Sequence, residues 1–480
     1  MGRRIPPLAC LLIAAIGAGA LAQAPVESEF GADRTLPVRP VVAELRAPVP
    51  LAAPTPVVPA NEPRSEHRLD DLLRLALEHN PRLAQAGFVI EAARGRAYQA
   101  GLYPNPVVSV NGDELGDRTA PAGIWTAPLV SQEIVTGGKL DLTRAAAMKE
   151  VDQATFALAT RRAELFAAVR AAAFDVLTLK RKIELLDELK SVAQKSVDHT
   201  KELVRAKQAT QLDVIQMEVE AERFRAEFEA AEQELPAAFR RLAAVVGVKD
   251  LDQAPIAGSL DETIPNYELE QIRKYVLAVH PDVGSAHVSL ERAKLLWQRA
   301  QAEVIPNVTV SGGYVRQNQN RSNDYTVGIS VPVPVWNKNQ GNILAAQASV
   351  GEATREINRV ENDLTERVAA AFRDYASARR RAERFTEVRK KAEEAYKLIV
   401  EEKSFTLSPL QRLVAQQAVA QARLEYVKAR GEAWRAASVI SGLTLEEQWP
   451  MPTLPAPVRG KDVPSKPMDK DDMQPAPKIK

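Results

Sequence analysis

Cysteine is almost missing from this chain. The single one among 480 residues is Cys10, so neither a disulfide framework nor a cysteine-built metal site is available. Histidine is scarce as well, with five scattered copies, which excludes most metalloenzyme chemistry. Aromatic residues make up 5% of the chain, little for several compact cores. An excess of one charge is lacking too: 63 Lys plus Arg face 62 Asp plus Glu, so the basic surplus of a nucleic-acid binder is absent. Beyond the N-terminus no apolar run reaches the roughly 18 residues that a membrane-spanning helix needs. The length suits two to four ordinary domains or one elongated body.

What is present starts with a leader. Arg3-Arg4 precedes an apolar run from Leu8 to Leu21, and Ala20-Leu21-Ala22 ends it with small residues where a signal peptidase reads. Residues 1–22 are therefore expected to be a signal peptide cleaved after Ala22. Lipid anchoring needs a cysteine after the apolar region, and Cys10 lies before most of it. Residues 23–66 and 446–480 are rich in proline without periodicity and are expected to be a disordered linker and a disordered Pro/Lys-rich tail.

The body between them is a tandem duplication with a period of about 200 residues, which gives repeats at 67–255 and 256–445. Asn80-Pro81 is answered by His280-Pro281, Ala86 by Ala286, Glu91 by Glu291, and Ala93 by Ala293. Pro104-Asn105 is answered by Pro306-Asn307, and Val246-Gly247 by Ser441-Gly442. Pro81 and Pro281 suit the first position of a helix, where the missing N–H has no partner to lose. From Lys139 to Lys207 there is no Pro or Gly and the stretch is dense in Ala, Leu, Glu, Lys and Arg, so one helix is expected over 139–207 and its return over 210–246. The second repeat predicts helices over 341–405 and 408–441, with Gly351 as the weak interior position. Helices of roughly 100 Å exceed any globular domain. Leu165, Val169, Ala172, Val176, Leu179, Ile183 and Leu186 recur at three and four, the spacing of an Ala-rich coiled-coil seam.

Four short segments have a different period. Tyr325, Val327, Ile329, Val331 and Val333 share one face, opposite Thr326, Gly328, Ser330 and Pro332. Val308, Val310, Gly312 and Tyr314 are opposed to polar or small residues in the same way. Such alternation signals strands with one apolar and one polar face, as in membrane barrels. Strands are expected at about 104–113, 124–134, 305–316 and 325–335, with Pro128 interrupting the second. Four strands cannot close a barrel, and open edges are not tolerated in hydrocarbon, so a membrane-spanning chain of this kind must oligomerise. Two copies give eight strands and a filled barrel; three give twelve and room for a pore. The fold class is mainly α with a small β part.

With these elements the chain resembles the TolC-type outer-membrane efflux channel family over residues 69 to 445. The resemblance is carried by Asn80-Pro81, His280-Pro281, Pro104-Asn105, Pro306-Asn307, Gln132-Glu133-Ile134, Gly137-Gly138-Lys139-Leu140, and Pro332-Val333-Pro334-Val335-Trp336-Asn337-Lys338-Asn339-Gln340-Gly341. The last string is most similar to the branch serving cobalt, zinc and cadmium or copper and silver pumps. The resemblance implies a homotrimer with a twelve-stranded barrel in outer-membrane lipid and a helical tunnel across the periplasm. It also implies a periplasmic membrane-fusion adaptor and an inner-membrane resistance-nodulation-division pump as partners.

A passive duct needs no catalytic group or cofactor, and the sequence suggests neither. Gly137-Gly138 reads as a strand-to-helix bend because no Gly-Lys-Ser/Thr follows, and Trp336 with Asn337 takes that part in the second repeat. The hairpin tips at 206–211 and 404–409 are expected at the periplasmic entrance, where the resemblance implies adaptor docking at Thr210, Gln211, Ser408 and Pro409. Asp213, Glu401 and Glu402 lie within a turn or two of the tips, and three copies of them would form acidic rings that favour cations. Arg205, Lys207 and Lys403 lie near enough to pair with them. Thr210 and Ser408 are placed to cap the returning helices. Two other functions fit parts of the pattern. An exit duct for type I protein secretion shares the fold, and a periplasmic coiled-coil scaffold explains the helices but not the strands.

Overall fold

A computed structural model describes residues 66–116, 118, 122–401, 409–447 and 449. Each repeat runs through a short helix, a second helix, two strands, a very long helix and its return. The first contains α1 (Leu69–His79), α2 (Pro81–Ala100), β1 (Val107–Asp113), β2 (Ile124–Ile134), α3 (Lys139–Arg205) and α4 (Gln211–Val246). The second contains α5 (Leu269–Val279), α6 (Pro281–Ala302), β3 (Val308–Gln317), β4 (Ser322–Ser330), α7 (Gln340–Glu401) and α8 (Pro409–Leu443). At 67 and 62 residues, α3 and α7 each extend to roughly 100 Å.

The long helices are strong in local preference and are held in place by packing. Helix α3 packs against α4 as α7 does against α8, and α3 also meets α6 and α8, which joins the two repeats. Leu165, Val169, Val176 and Leu186 of the expected seam are buried, while Ala172, Leu179 and Ile183 are half-buried. Short helix α1 covers this seam with Leu72, Leu73 and Ala76, and its counterpart α5 packs on α7 with Ile272 and Val276 buried. Close approach of α3 and α8 requires glycine at 431, where a Cβ would lie 2.2 Å from the Thr178 hydroxyl oxygen. Gly351 has no neighbour at all within 4 Å of that position.

The four strands form one antiparallel sheet in the order β1-β2-β3-β4. Tyr314 pairs with Tyr325, Gly312 with Val327 and Val310 with Ile329, so the two apolar faces foreseen in the second repeat are one face. Val130, Gln132 and Ile134 extend it through their pairing with Gly312, Val310 and Val308. Among the described residues no helix is long and apolar enough to cross a membrane.

Several boundaries differ from the sequence reading. Strand β4 ends at Ser330 rather than 335, because Pro332 and Pro334 have no N–H to give a ladder. Strand β1 starts at Val107 rather than 104, for the same reason at Pro104 and Pro106. Pro128 does not interrupt β2; the strand passes it through an irregularity that shifts the β2–β3 register between Thr126 and Leu129. The β3–β4 turn is tighter than foreseen, since β4 already begins at Ser322. The proposed tail does not begin at 446. Glu446 is buried, and Trp449 packs edge-on against Trp434 and Phe174 at 5.5 and 5.7 Å. Residues 1–65 and 451–480, with the signal peptide, most of the proline-rich linker and the rest of the tail, lie outside the described residues.

Candidate functional site

Three surfaces can be built from the residues upward. The first is the sheet. Tyr325 and Val327 are 84% and 80% exposed, with Val108, Val110 and Ile329 also bare on the same chain. So much apolar strand surface facing outward needs a covering that is not water. The opposite face carries Ser109, Asn111, Ser131, Thr309, Ser311 and Thr326, which suits a wetted interior. Among the described residues the edge strands β1 and β4 have no strand beyond them.

The second surface is the junction between strands and long helices. Gly137 and Gly138 both take left-handed backbone, at φ 69° and 67°, and Gly138 is the N-cap of α3. Their role as a bend is joined by a residue that sequence reasoning cited only as a motif. The Asn307 side-chain oxygen accepts from Lys139 Nζ at 2.6 Å and from the Thr136 N–H at 3.3 Å, while its amide donates to Glu133 at 2.6 Å. Asn307 thereby ties the bend of the first repeat to the strand start of the second. In the second repeat the Asn337 side-chain oxygen accepts from the Asn339 N–H at 3.0 Å. The left-handed residue there is Asn339, at φ 60°, whose amide donates to the Ala300 carbonyl at 2.8 Å. Asparagine tolerates this conformation better than most residues, and that preference was the available signal. The Trp336 ring contributes no turn contact of its own and stands 89% exposed beside the junction.

The third surface is the tip of the α3–α4 hairpin. Helix α3 ends at Arg205 rather than at the expected 207, because Lys207 beyond its cap takes left-handed backbone, its N–H bonded to the Val204 carbonyl at 2.9 Å. Thr210 is the N-cap of α4, and its hydroxyl accepts from the Asp213 N–H at 3.3 Å. The Asp213 carboxylate accepts in return from the Thr210 N–H at 2.8 Å and its hydroxyl at 2.7 Å. This is a complete capping box. The Thr210 bonds hold the Asp213 carboxyl below its usual range. Arg205 pairs with Glu202 at 2.7 Å rather than with Asp213. Gln211 opens α4 with its side chain exposed. At the other tip α7 ends at Glu401 and α8 starts at Pro409, while Glu402 and Ser408 lie outside the described residues.

Between α3 and the end of α8 a buried polar cluster went unnoticed in the sequence. Arg170, 0% exposed, donates to the Ser441 hydroxyl at 2.9 Å and the Glu447 carbonyl at 2.8 Å, and its guanidinium lies 5.3 Å from the Trp449 ring centre. Burial pulls the Arg170 pKa down to about 10, with Glu446 opposing. An arginine on an otherwise Ala-rich seam was the only cue. The two repeat-opening motifs are N-caps. Asn80 accepts from the Arg82 N–H at 2.9 Å, and His280 Nδ1 accepts from the Asp282 N–H at 3.2 Å.

Residues 72–248 and 273–443 match the family described as "Outer membrane efflux protein". The chain belongs to the outer membrane efflux protein family. The two matched segments are the two structural repeats. Among relatives of this outer membrane efflux protein, the cobalt-zinc-cadmium resistance protein CzcC of Cupriavidus metallidurans is 25% identical over 374 residues, 78% of this chain and 88% of the relative. The outer membrane protein VceC of Vibrio cholerae superposes with a TM-score of 0.64 at 20% identity, over 78% of this chain and 96% of that one. The open-state outer membrane channel MtrE of Neisseria gonorrhoeae gives 0.65 at 18% identity, over 78% and 89%. Both likenesses establish the efflux-channel fold.

Proposed function

We propose that this outer membrane efflux channel works as a homotrimer, the exit duct of a tripartite pump that expels divalent metal ions of the cobalt, zinc and cadmium class. The observation that carries the duct is the continuity of one half-bare sheet with two hairpins of roughly 100 Å. The open edges of β1 and β4 call for neighbouring copies, and three sheets make a barrel of twelve strands. The internal duplication supports the same assembly. Helix α6 packs against both α3 and α7, whereas its counterpart α2 packs extensively against α3 alone and leaves Phe88, Val89 and Tyr98 bare. A neighbouring copy's α7 is the equivalent partner for that flank.

The metal class rests on the CzcC relative and on the Trp336–Gly341 string. Asp213, Glu401 and Glu402 remain candidate cation-favouring residues, although Asp213 is already engaged by Thr210 in the capping box. An adaptor meets the hairpin tips at Thr210, Gln211, Ser408 and Pro409, the pump stands in the inner membrane, and the leader is removed after Ala22. The test is deletion of the gene followed by growth on cobalt, zinc and cadmium with measurement of cell-associated metal. Lower tolerance with raised metal content, restored by the wild-type gene, is expected. Unchanged metal tolerance together with loss of a secreted protein would overturn the metal assignment in favour of type I secretion.

A further inference from the structure

The four long helices stand in one row, α4, α3, α8, α7, because α3 packs against both α4 and α8, and α7 packs against α8. In their tip-side halves the two end helices each keep a bare outer flank. On α4 that flank shows Leu212, Ile215 and Val219, followed at the same spacing by Glu222, Ala226 and Glu229. On α7 it shows Arg380, Arg384, Val388, Lys391 and Leu398. Among the described residues Glu229, Arg384 and Lys391 make no hydrogen bond or ion pair, and Glu222 is held only by Arg225, one turn away at 3.1 Å.

The internal duplication says what such flanks meet. Helices α3 and α8 form the seam between the two hairpins of one chain, and its repeat is a seam between α7 and α4, which lie at opposite ends of the row. The correspondence is fixed by geometry. Val248 N–H bonds to the Ala243 carbonyl at 3.1 Å past left-handed Gly247, and Glu446 N–H to the Ser441 carbonyl at 3.0 Å past left-handed Leu445. Gly247 therefore answers in structure to Leu445 rather than to Gly442. Along α3 and α7 the buried Leu165, Val169 and Val176 answer to Leu364, Val368 and Tyr375. On these registers Glu229 and Arg384 stand where the inner seam has Val427 and Leu185, which line one cleft. Glu222 and Lys391 stand where it has Ala420 and Val192, which line another.

The spacing agrees. Ile215, Glu222 and Glu229 are seven apart on α4, and Leu398, Lys391 and Arg384 are seven apart in the opposite sense on α7. Two antiparallel helices then match an apolar contact and two opposite-charge pairs at once. A slip of seven residues sets Ile215 against Lys391 in one direction and Glu222 against Leu398 in the other.

We infer that α4 of one copy pairs with α7 of the next through Glu222–Lys391 and Glu229–Arg384, and that these charges choose the partner and its register. The inference rests on the homo-oligomeric reading above. One exposed pair contributes little, but a head-to-tail ring repeats it at every seam.

Charge exchange in the full-length protein tests it. Glu222→Lys with Glu229→Arg should cut the trimeric fraction of detergent extracts about tenfold or more in light scattering, and adding Lys391→Glu and Arg384→Glu should restore it. When the fully exchanged chain and the wild type are co-expressed with different tags, each should be recovered with its own kind. A charge-independent check is the Glu229→Cys, Arg384→Cys chain oxidised with copper phenanthroline. Its only other cysteine is Cys10, and covalent trimers are expected on denaturing gels. Reversed chains that assemble as well as the wild type, a full exchange that restores nothing or mixes freely with the wild type, or no disulfide-linked oligomer would each overturn this pairing while a trimeric wild type leaves the trimer standing. A monomeric wild type in the same extracts would overturn both.

Discussion

At the residue scale the two repeats solve one problem with different side chains, and the difference is sensitive to pH. Asn80 and His280 both accept from the N–H two residues on, but only histidine loses that capacity when protonated. Burial depresses the His280 pKa, Asp282 opposes and Arg367 reinforces. A depressed folded-state pKa means that the unfolded chain binds the proton more readily, so this stability is present above about 6.5 and is lost as pH falls through the folded value. His280→Asn copies the first repeat and should flatten the fall in melting temperature between pH 7.5 and 5.5; an unchanged slope would remove His280 as its source. Arg170 provides a second test. Arg170→Ala deletes a fully buried side chain, its bonds to Ser441 and Glu447, and the surface under Trp449. A loss of about 3 kcal/mol is expected in denaturant unfolding, with Trp449 fluorescence red-shifted in the native state. The role of neither residue was legible in advance. A cap could be placed at 80 and 280, but the burial that moves the titration, and the Arg367 charge that reinforces it, come from tertiary packing, which no local pattern encodes.

At the element scale the long helices were readable because their evidence is additive: many residues without Gly or Pro outvote any single preference. Their ends were less so, and the reasons are chemical. The start of α4 was set by Thr210, while the partner acid of its capping box, Asp213, was read as part of a cation ring. Thr210→Ala should cost about 1 kcal/mol and raise amide hydrogen exchange in the first turn of α4. If exchange there stays at the wild-type rate, the box is not what holds the tip. Helix contacts were the hidden part, since sequence spacing gives a face but not what it meets. Gly431 and Gly351 look alike in the chain, yet only the first faces a neighbour. Gly431→Ala pushes α8 away from Thr178 and is expected to lower stability by about 1–3 kcal/mol, whereas Gly351→Ala should raise it by about 0.5–1 kcal/mol. Similar effects from both would mean that the α3–α8 contact is looser than its geometry.

At the scale of the whole molecule, the alternation in β3 and β4 carried the most information, because a period of two survives any detail of turn or register. It gave the two faces but not the way in which one strand's face joins the next, which the Tyr314–Tyr325 and Gly312–Val327 pairs now define. This continuity separates two neighbouring substitutions sharply. Val327 points to the bare face and Thr326 to the polar one. A lysine at the middle of a lipid-facing surface costs about 2–4 kcal/mol per copy, and a trimer meets that cost three times. Val327→Lys should therefore reduce the fraction of chains recovered as trimers from outer-membrane extracts, while Thr326→Lys, facing a wetted interior, should assemble and instead alter conductance in planar bilayers. Equal assembly of the two would mean that the apolar face is covered by protein rather than by lipid, and the barrel would then have to be abandoned even though the helices remained as described.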